Sequence, residues 1–172
     1  MITERLFETE RELDKCTARV LECVQCDAGW KIELDRTVLF PAGGGQLCDK
    51  GTIDGQPVLD VSDESGTIWH ICAAPLSSGA EVQVVLDVET RRYHSQQHTG
   101  EHILSHAFWK LFGAKNVGFH SDEDIITIDI DTELTAQQCA RAERFANEQI
   151  WDDRAVRVLY RDREHMQDLE VR

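Results

Sequence analysis

Four of the seven histidines in this 172-residue chain stand one helical turn apart within Tyr93–Gly113: His94, His98, His102 and His106. Residues four apart on a helix are stacked neighbours on one face. A neutral imidazole is the commonest protein ligand for zinc. A rise of about 1.5 Å per residue sets His94 and His106 roughly 18 Å apart along the axis. A ligand nitrogen must sit about 2 Å from the metal, so one ion takes an adjacent pair and hardly more. Ile103, Leu104, Ala107, Phe108 and Leu111 form the apolar stripe that should face a core. At about 100° per residue, the His98/His102 edge points nearly opposite that stripe, with Trp109 beside it. These histidines therefore face solvent or line a cleft.

What must position them is a chain of ordinary globular composition. It is 41% hydrophobic and 29% charged, and its length allows one large domain or two small ones with real cores. No apolar run of about 18 residues is present to span a membrane, and Met1-Ile-Thr-Glu opens no cleavable signal pattern. Six cysteines without framework-like regularity suggest a reducing cytoplasm. Cys23-Val-Gln-Cys26 lies in an apparent strand with no second pair following, and reads as structural. The net charge of −14, from 18 basic and 32 acidic residues, argues against DNA or any wide nonspecific nucleic-acid surface, which depends on Lys and Arg neutralising phosphates. It leaves room for recognition of one small RNA end through a local basic patch.

Residues 1–88 read as short strands divided by Gly, Pro, Asp and Ser clusters: Thr17–Cys26, Trp30–Leu34, Arg36–Phe40, Val58–Val61, Thr67–Cys72 and Val82–Val88. This spacing predicts a small antiparallel β-barrel. Within it runs the loop Pro41-Ala-Gly-Gly-Gly-Gln46-Leu-Cys-Asp49-Lys-Gly51. Three consecutive glycines are justified where φ must be positive or where a ligand must touch the main chain; a flexible hairpin tip is the plainer reading. No Gly-Lys-Ser/Thr follows, so the loop is not a phosphate loop of the Walker type. A helix is expected from about Glu89 to Phe112, with the domain boundary near Asp87. Asn116–His120 and Asp124–Asp131 read as strands. Thr135-Ala-Gln-Gln138 opens, with a capping box, an amphipathic helix to about Trp151. Ala155–Tyr160 reads as a strand and Asp162–Leu169 as weakly helical. His70 reads as a strand residue.

Two patterns overlap on the histidine helix. His98-Thr-Gly-Glu101-His102 fits HxxEH, the inverted zinc-peptidase motif, in which Glu101 would be the base. HTGEHILSHAF, preceded by Asp87 and the Arg91–Arg92 pair, also resembles the HTxxHLLxAA segment of the editing site of alanyl-tRNA synthetase and its free-standing relatives, the AlaX proteins. DRTVLFPAGGGQLCDKGTI is similar to their FYPxGGGQxxDxGxI, and the stretch from Asn116 through His120 to Asp129 to their VxGFHxxxxxxTID. Ala146-Asn147-Glu-Gln-Ile150 and Val156 match the family's helix-to-strand passage. The resemblance covers nearly the whole chain in the right order.

That resemblance implies an α+β protein: an N-terminal antiparallel β-barrel, residues 1–88, followed by an α/β editing domain of the threonyl/alanyl-tRNA synthetase type, residues 89–172. It implies a trans-editing hydrolase that removes wrongly attached serine or glycine from alanine tRNA. The partner is then mischarged alanine tRNA, with no membrane and no DNA, in the cytoplasm. The family's zinc is held by HxxxH and a later CxxxH. The first pair carries over to His98 and His102. No CxxxH follows residue 120, and His165 lacks a cysteine partner, so the chain is expected to be C-terminally incomplete, to hold zinc weakly or not at all, and to show little turnover alone. By the same resemblance Gly43, Gly44, Gly45 and Gln46 lie over the pocket and bind the substrate, and Gln46 and His120 are the catalytic candidates, His120 supplying a further polar contact; an ordinary surface hydrogen-bonding role is the alternative for each of these two. His94 is expected on the helix surface, and Glu101 is expected to be dispensable. Arg91, Arg92, Lys110, Lys115, Arg141 and Arg144 are the cations available to an RNA 3′ end. Trp109 offers a stacking plane or packs between the domains. The competing readings are an HxxEH peptidase and a noncatalytic binding remnant.

Overall fold

Alternation of apolar and polar residues sets the architecture of the first half. Along Glu81–Leu86 every second side chain is buried, the period of a strand with one face on a core. The computed structural model describes residues 2–122 and 125–157. In chain order the elements are β1 (Glu4–Arg5), α1 (Leu6–Thr9), β2 (Lys15–Cys26), β3 (Gly29–Leu34), β4 (Arg36–Thr37), β5 (Gly51–Ile53), β6 (Gln56–Glu64), β7 (Thr67–Cys72), β8 (Glu81–Leu86), α2 (Val88–Phe112), β9 (Asn116–Ser121), β10 (Ile126–Ile130) and α3 (Ala136–Trp151). The protein is mixed α+β.

Six strands pair in the order β2-β3-β7-β6-β5-β8, and β8 returns to β2, so the hydrogen bonding closes on itself as a barrel. Every pairing in this ring is antiparallel. Two-residue hairpins make the closure possible. Asp54-Gly55 joins β5 to β6 and Ser65-Gly66 joins β6 to β7, all four with positive φ, the mirror-image turn whose twist matches the flanking strands. Ile32, Leu34, Ile53, Val61, Ile68 and Val84 fill the interior, each contributing about 1.5–3 kcal/mol relative to exposure. His70 is buried among them.

The second half builds a separate apolar cluster. Asp87 caps α2, its carboxylate accepting from Glu89 and Thr90 N–H. Those bonds, the one to Thr90 first, hold its pKa below the usual carboxylate range. Gly113, in the left-handed region, ends the helix. Thr135 and Gln138 form the expected capping box at the start of α3. Ala107, Phe108 and Ala114 pack on Ala142 and Ala146 from α3, with Ile128 and Ile130 from β10 closing one side. The six cysteines are free thiols. Among the described residues no helix is long and apolar enough to cross a membrane. Of the strand expected over 124–131, Ile126–Ile130 is observed, with residues 125 and 131 outside it and Asp124 outside the described residues. Residues 155–157 are not in a strand; Tyr160, Asp162–Leu169 and His165 lie outside the described residues.

Candidate functional site

Helix α2 buries two faces. The apolar stripe lies on α3. A second stripe, Arg91, His94, His98, Glu101 and Ser105, advances by the three- and four-residue steps of a helix face and turns toward the strand ring and β9. His94, expected on the surface, is buried, and its Nδ1 has no hydrogen-bond partner among the described residues. The expectation failed because periodicity marks apolar faces, and this face is polar.

Arg91 ties that stripe to the glycine loop. Its Nε donates to Asp49 Oδ1 at 2.7 Å and its Nη2 to Asp49 Oδ2 and to Val38 O. Asp49 Oδ2 also accepts from Phe40 N–H at 2.6 Å, and Asp49 N–H donates back to Phe40 O. The loop from Pro41 to Cys48 is thus pinched at its base, and the base is held by the first turns of α2. Arg91 is therefore not one of the cations free for an RNA end; its guanidinium is committed to a buried carboxylate. Arg141 remains exposed, with its guanidinium 5.9 Å from the Phe112 ring centroid.

At its tip the loop makes a tight turn, with Gly43 and Gln46 exchanging backbone hydrogen bonds. Gly44 (φ 61°) and Gly45 (φ 83°) occupy its centre, where side chains are strained. Gly45 also lies against β9. A Cβ there would stand 2.6 Å from Phe119 Cδ1 and 2.7 Å from its carbonyl oxygen. Phe119 in turn faces His98, ring centroids 6.0 Å apart. One chain of contacts therefore runs from Gly45 through Phe119 to His98. Gly43 and Gly44 are exposed and Gln46 half-buried.

The imidazoles of His98 and His102 point their Nε2 atoms at each other, 3.1 Å apart. Two nitrogens about 2 Å from a tetrahedral zinc stand about 3.3 Å apart, so the pair fits one ion with a small adjustment. Partial burial, then the neighbouring His102, lowers the His98 pKa, against a rise from Glu101. That keeps the ring neutral, the form that ligates. Among the described residues, the one group of three side chains able to converge on a metal is His98, Glu101 and His102.

Glu101 is buried, and its Oε1 accepts from Ser105 Oγ at 2.5 Å and from Asn116 Nδ2 at 2.6 Å. Its Oε2 faces His102 Nδ1 at 3.5 Å. A peptidase base would have to meet water on the open side of a metal, and this carboxylate is committed to the inner side. This weighs against the HxxEH reading. His102 opens into a groove of about 920 Å³ shared with Ile103 and His106 of α2, Ile150 of α3 and Val156.

Other expected residues are not brought to this point. His120 is exposed and faces Asp129, Nε2 to Oδ2 3.4 Å, on the opposite face of β9 from Phe119 by strand alternation. Trp109 is exposed beside His106, centroids 5.7 Å apart, rather than between the two halves. Sequence reasoning missed Phe119, Asn116 and the Arg91–Asp49 pair. Arg91 was singled out as a cation and Asp49 only as part of the loop, and nothing linear says that they meet.

No family model matches the chain. It is 39% identical over 132 residues to alanyl-tRNA editing protein Aarsd1 of Bos taurus, covering 76% of this chain and 30% of that protein. Against alanyl-tRNA editing protein AlaX-L of Pyrococcus horikoshii it is 32% identical over 162 residues, 90% of this chain and 40% of the relative. AlaX-M of the same organism is 38% identical over 118 residues, 67% of this chain and 53% of the relative. The chain thus spans between 30% and 53% of the length of these relatives.

Proposed function

We propose, on the premise that this chain is a homologue of the alanyl-tRNA editing proteins, that it is an aminoacyl-tRNA deacylase acting in trans on mischarged alanine tRNA. The substrate is the ester joining serine or glycine to the terminal ribose, and the place of work is the cytoplasm. The observation that carries this reading is the contact from Gly45 through Phe119 to His98, which puts the glycine loop within reach of the two imidazoles. In domain terms, residues 1–88 form a barrel that delivers the loop, and residues 89–172 form an editing domain of the threonyl/alanyl-tRNA synthetase type.

His98 and His102 are the residues that would hold zinc, which when bound would orient the aminoacyl group and lower the pKa of water toward about 7. The rest falls to the chain itself. The main chain of Gly43, Gly44 and Gly45 and the side chain of Gln46 receive the terminal adenosine or the aminoacyl carbonyl. The Arg91–Asp49 tie keeps that loop in place over α2. The groove beside His102 has the volume of a small-ligand site and takes the acylated end, with Arg92 on its wall. His120 serves at most as an outer polar contact to the tRNA.

The test presents seryl- and alanyl-charged alanine tRNA, and a casein-type peptide, to the protein. It should remove serine selectively, however slow the turnover, and His98→Ala or His102→Ala should abolish the reaction. An intact seryl ester, or histidine variants as active as the parent, would end the reading. Peptide cleavage that depends on Glu101 would return the peptidase.

A further inference from the structure

Glu101 sits between the two histidines in sequence, close enough to join them around one ion, yet it is buried where His102 is exposed. Its side chain is only 4% exposed, while that of His102 is 62% exposed. A carboxylate withdrawn from water is costly unless each oxygen finds donors. Oε1 finds two, Ser105 Oγ and Asn116 Nδ2, and Asn116 Nδ2 also reaches Ser105 Oγ at 2.8 Å. The orientation of Asn116 is fixed, because its Oδ1 accepts from Gly118 N–H at 3.0 Å. That leaves Oε2 with one polar neighbour among these contacts, His102 Nδ1.

We propose that Glu101 is the positioning residue of His102: its Oε2 holds the proton on Nδ1 and so leaves the Nε2 lone pair free toward His98. An imidazole offers a lone pair at one nitrogen only when the proton is kept on the other. Asn116 and Ser105 brace the carboxylate from behind, which ties the tautomer of a residue on α2 to the start of β9. The function rests on the proposed reading of the two histidines as metal-holding. The tautomer does not, and can be read with no metal present.

The geometry specifies the informative variant. In Glu101→Gln the side-chain shape is kept, and the position of Oε1 still receives two donors, so the carbonyl oxygen must stay there. The amide NH2 then takes the place of Oε2 and donates to His102 Nδ1. The proton is driven to Nε2, the atom that faces His98. A role limited to tying α2 to β9 would survive this change; the positioning role would not.

The experiment records long-range 1H–15N correlations of the histidine rings in the metal-free chain at about pH 8, where unperturbed imidazoles are neutral. His102 should carry its proton on Nδ1 in the parent and on Nε2 in Glu101→Gln. Zinc alone, titrated in competition with a chromophoric chelator, should bind Glu101→Gln at least about 10-fold more weakly. Ser105→Ala, which spares Oε2, should bind as the parent does. An unchanged tautomer in Glu101→Gln, or a switched tautomer with undiminished zinc affinity, overturns the inference. If the parent takes up too little zinc to measure, the spectra alone decide the role of Glu101: a parent tautomer on Nδ1 that switches in Glu101→Gln supports it, and any other result overturns it.

Discussion

His70 shows how much one side chain can be committed by its surroundings. It lies fully buried in β7, with Nδ1 set to donate to Ile32 O at 3.2 Å and Nε2 paired with Thr37 Oγ1 at 2.9 Å. Burial lowers its pKa from 6.5 to about 4. Between these values the unfolded chain binds a proton that the folded chain refuses. The contribution to stability is therefore complete above about pH 6.5 and is lost as pH falls toward 4, by as much as about 3 kcal/mol. Urea unfolding at several pH values should show this slope, and His70→Gln should flatten it. Its strand placement was legible from the Thr67–Cys72 pattern. Its withdrawal from chemistry was not, because a histidine in a strand has the same letter whether it faces the interior or a ligand.

At the scale of elements, the glycine loop is rigid by construction rather than a slack tip. Gly45→Ala would place a methyl group into Phe119 and also force a side chain into the left-handed region, at about 1–2 kcal/mol for the backbone alone. We expect loss of thermal stability and, since misplacement of a positioning loop by about 1 Å can cost on the order of 100-fold, a fall in kcat/KM of that size for seryl-tRNA. Gly44→Ala meets nothing within 4 Å and should show the strain with a smaller kinetic effect. Equal effects would mean that the Phe119 contact does not matter. The need for glycine was visible in the run Gly43–Gly45. Which glycine carries the contact was not, since Phe119 lies more than seventy residues away. Helix α2 was readable in extent from its apolar stripe and the change in sequence texture near Asp87. Its second, polar buried face was not, because a row of Arg, His, Glu and Ser carries the signature of a solvated surface.

Across the whole molecule, the strand ring and the helical half are joined at the foot of the loop by a charge pair of half-buried Arg91 on buried Asp49. Arg91→Met would strand the Asp49 carboxylate with Phe40 N–H alone, and breaking a buried pair in this way costs about 3–5 kcal/mol. Asp49→Asn in the same background should recover part of that loss, and a double-mutant cycle by denaturant unfolding measures the coupling. A cycle that sums to zero would show that the two halves are not joined here. The sequence by itself determined the local elements: the short strands with their turn residues, the capping box of α3, the HxxxH spacing and the family likeness. These follow from contacts within a few residues, where propensity, period and capping act. Only the tertiary structure decided that His94 is buried, that Arg91 serves Asp49 rather than RNA, that Glu101 is buried on Ser105 and Asn116 with its other oxygen toward His102, and that Gly45 meets Phe119. Each of those depends on groups distant in the chain sharing one desolvated space, where the cost of an unpaired polar atom selects partners that no linear pattern encodes.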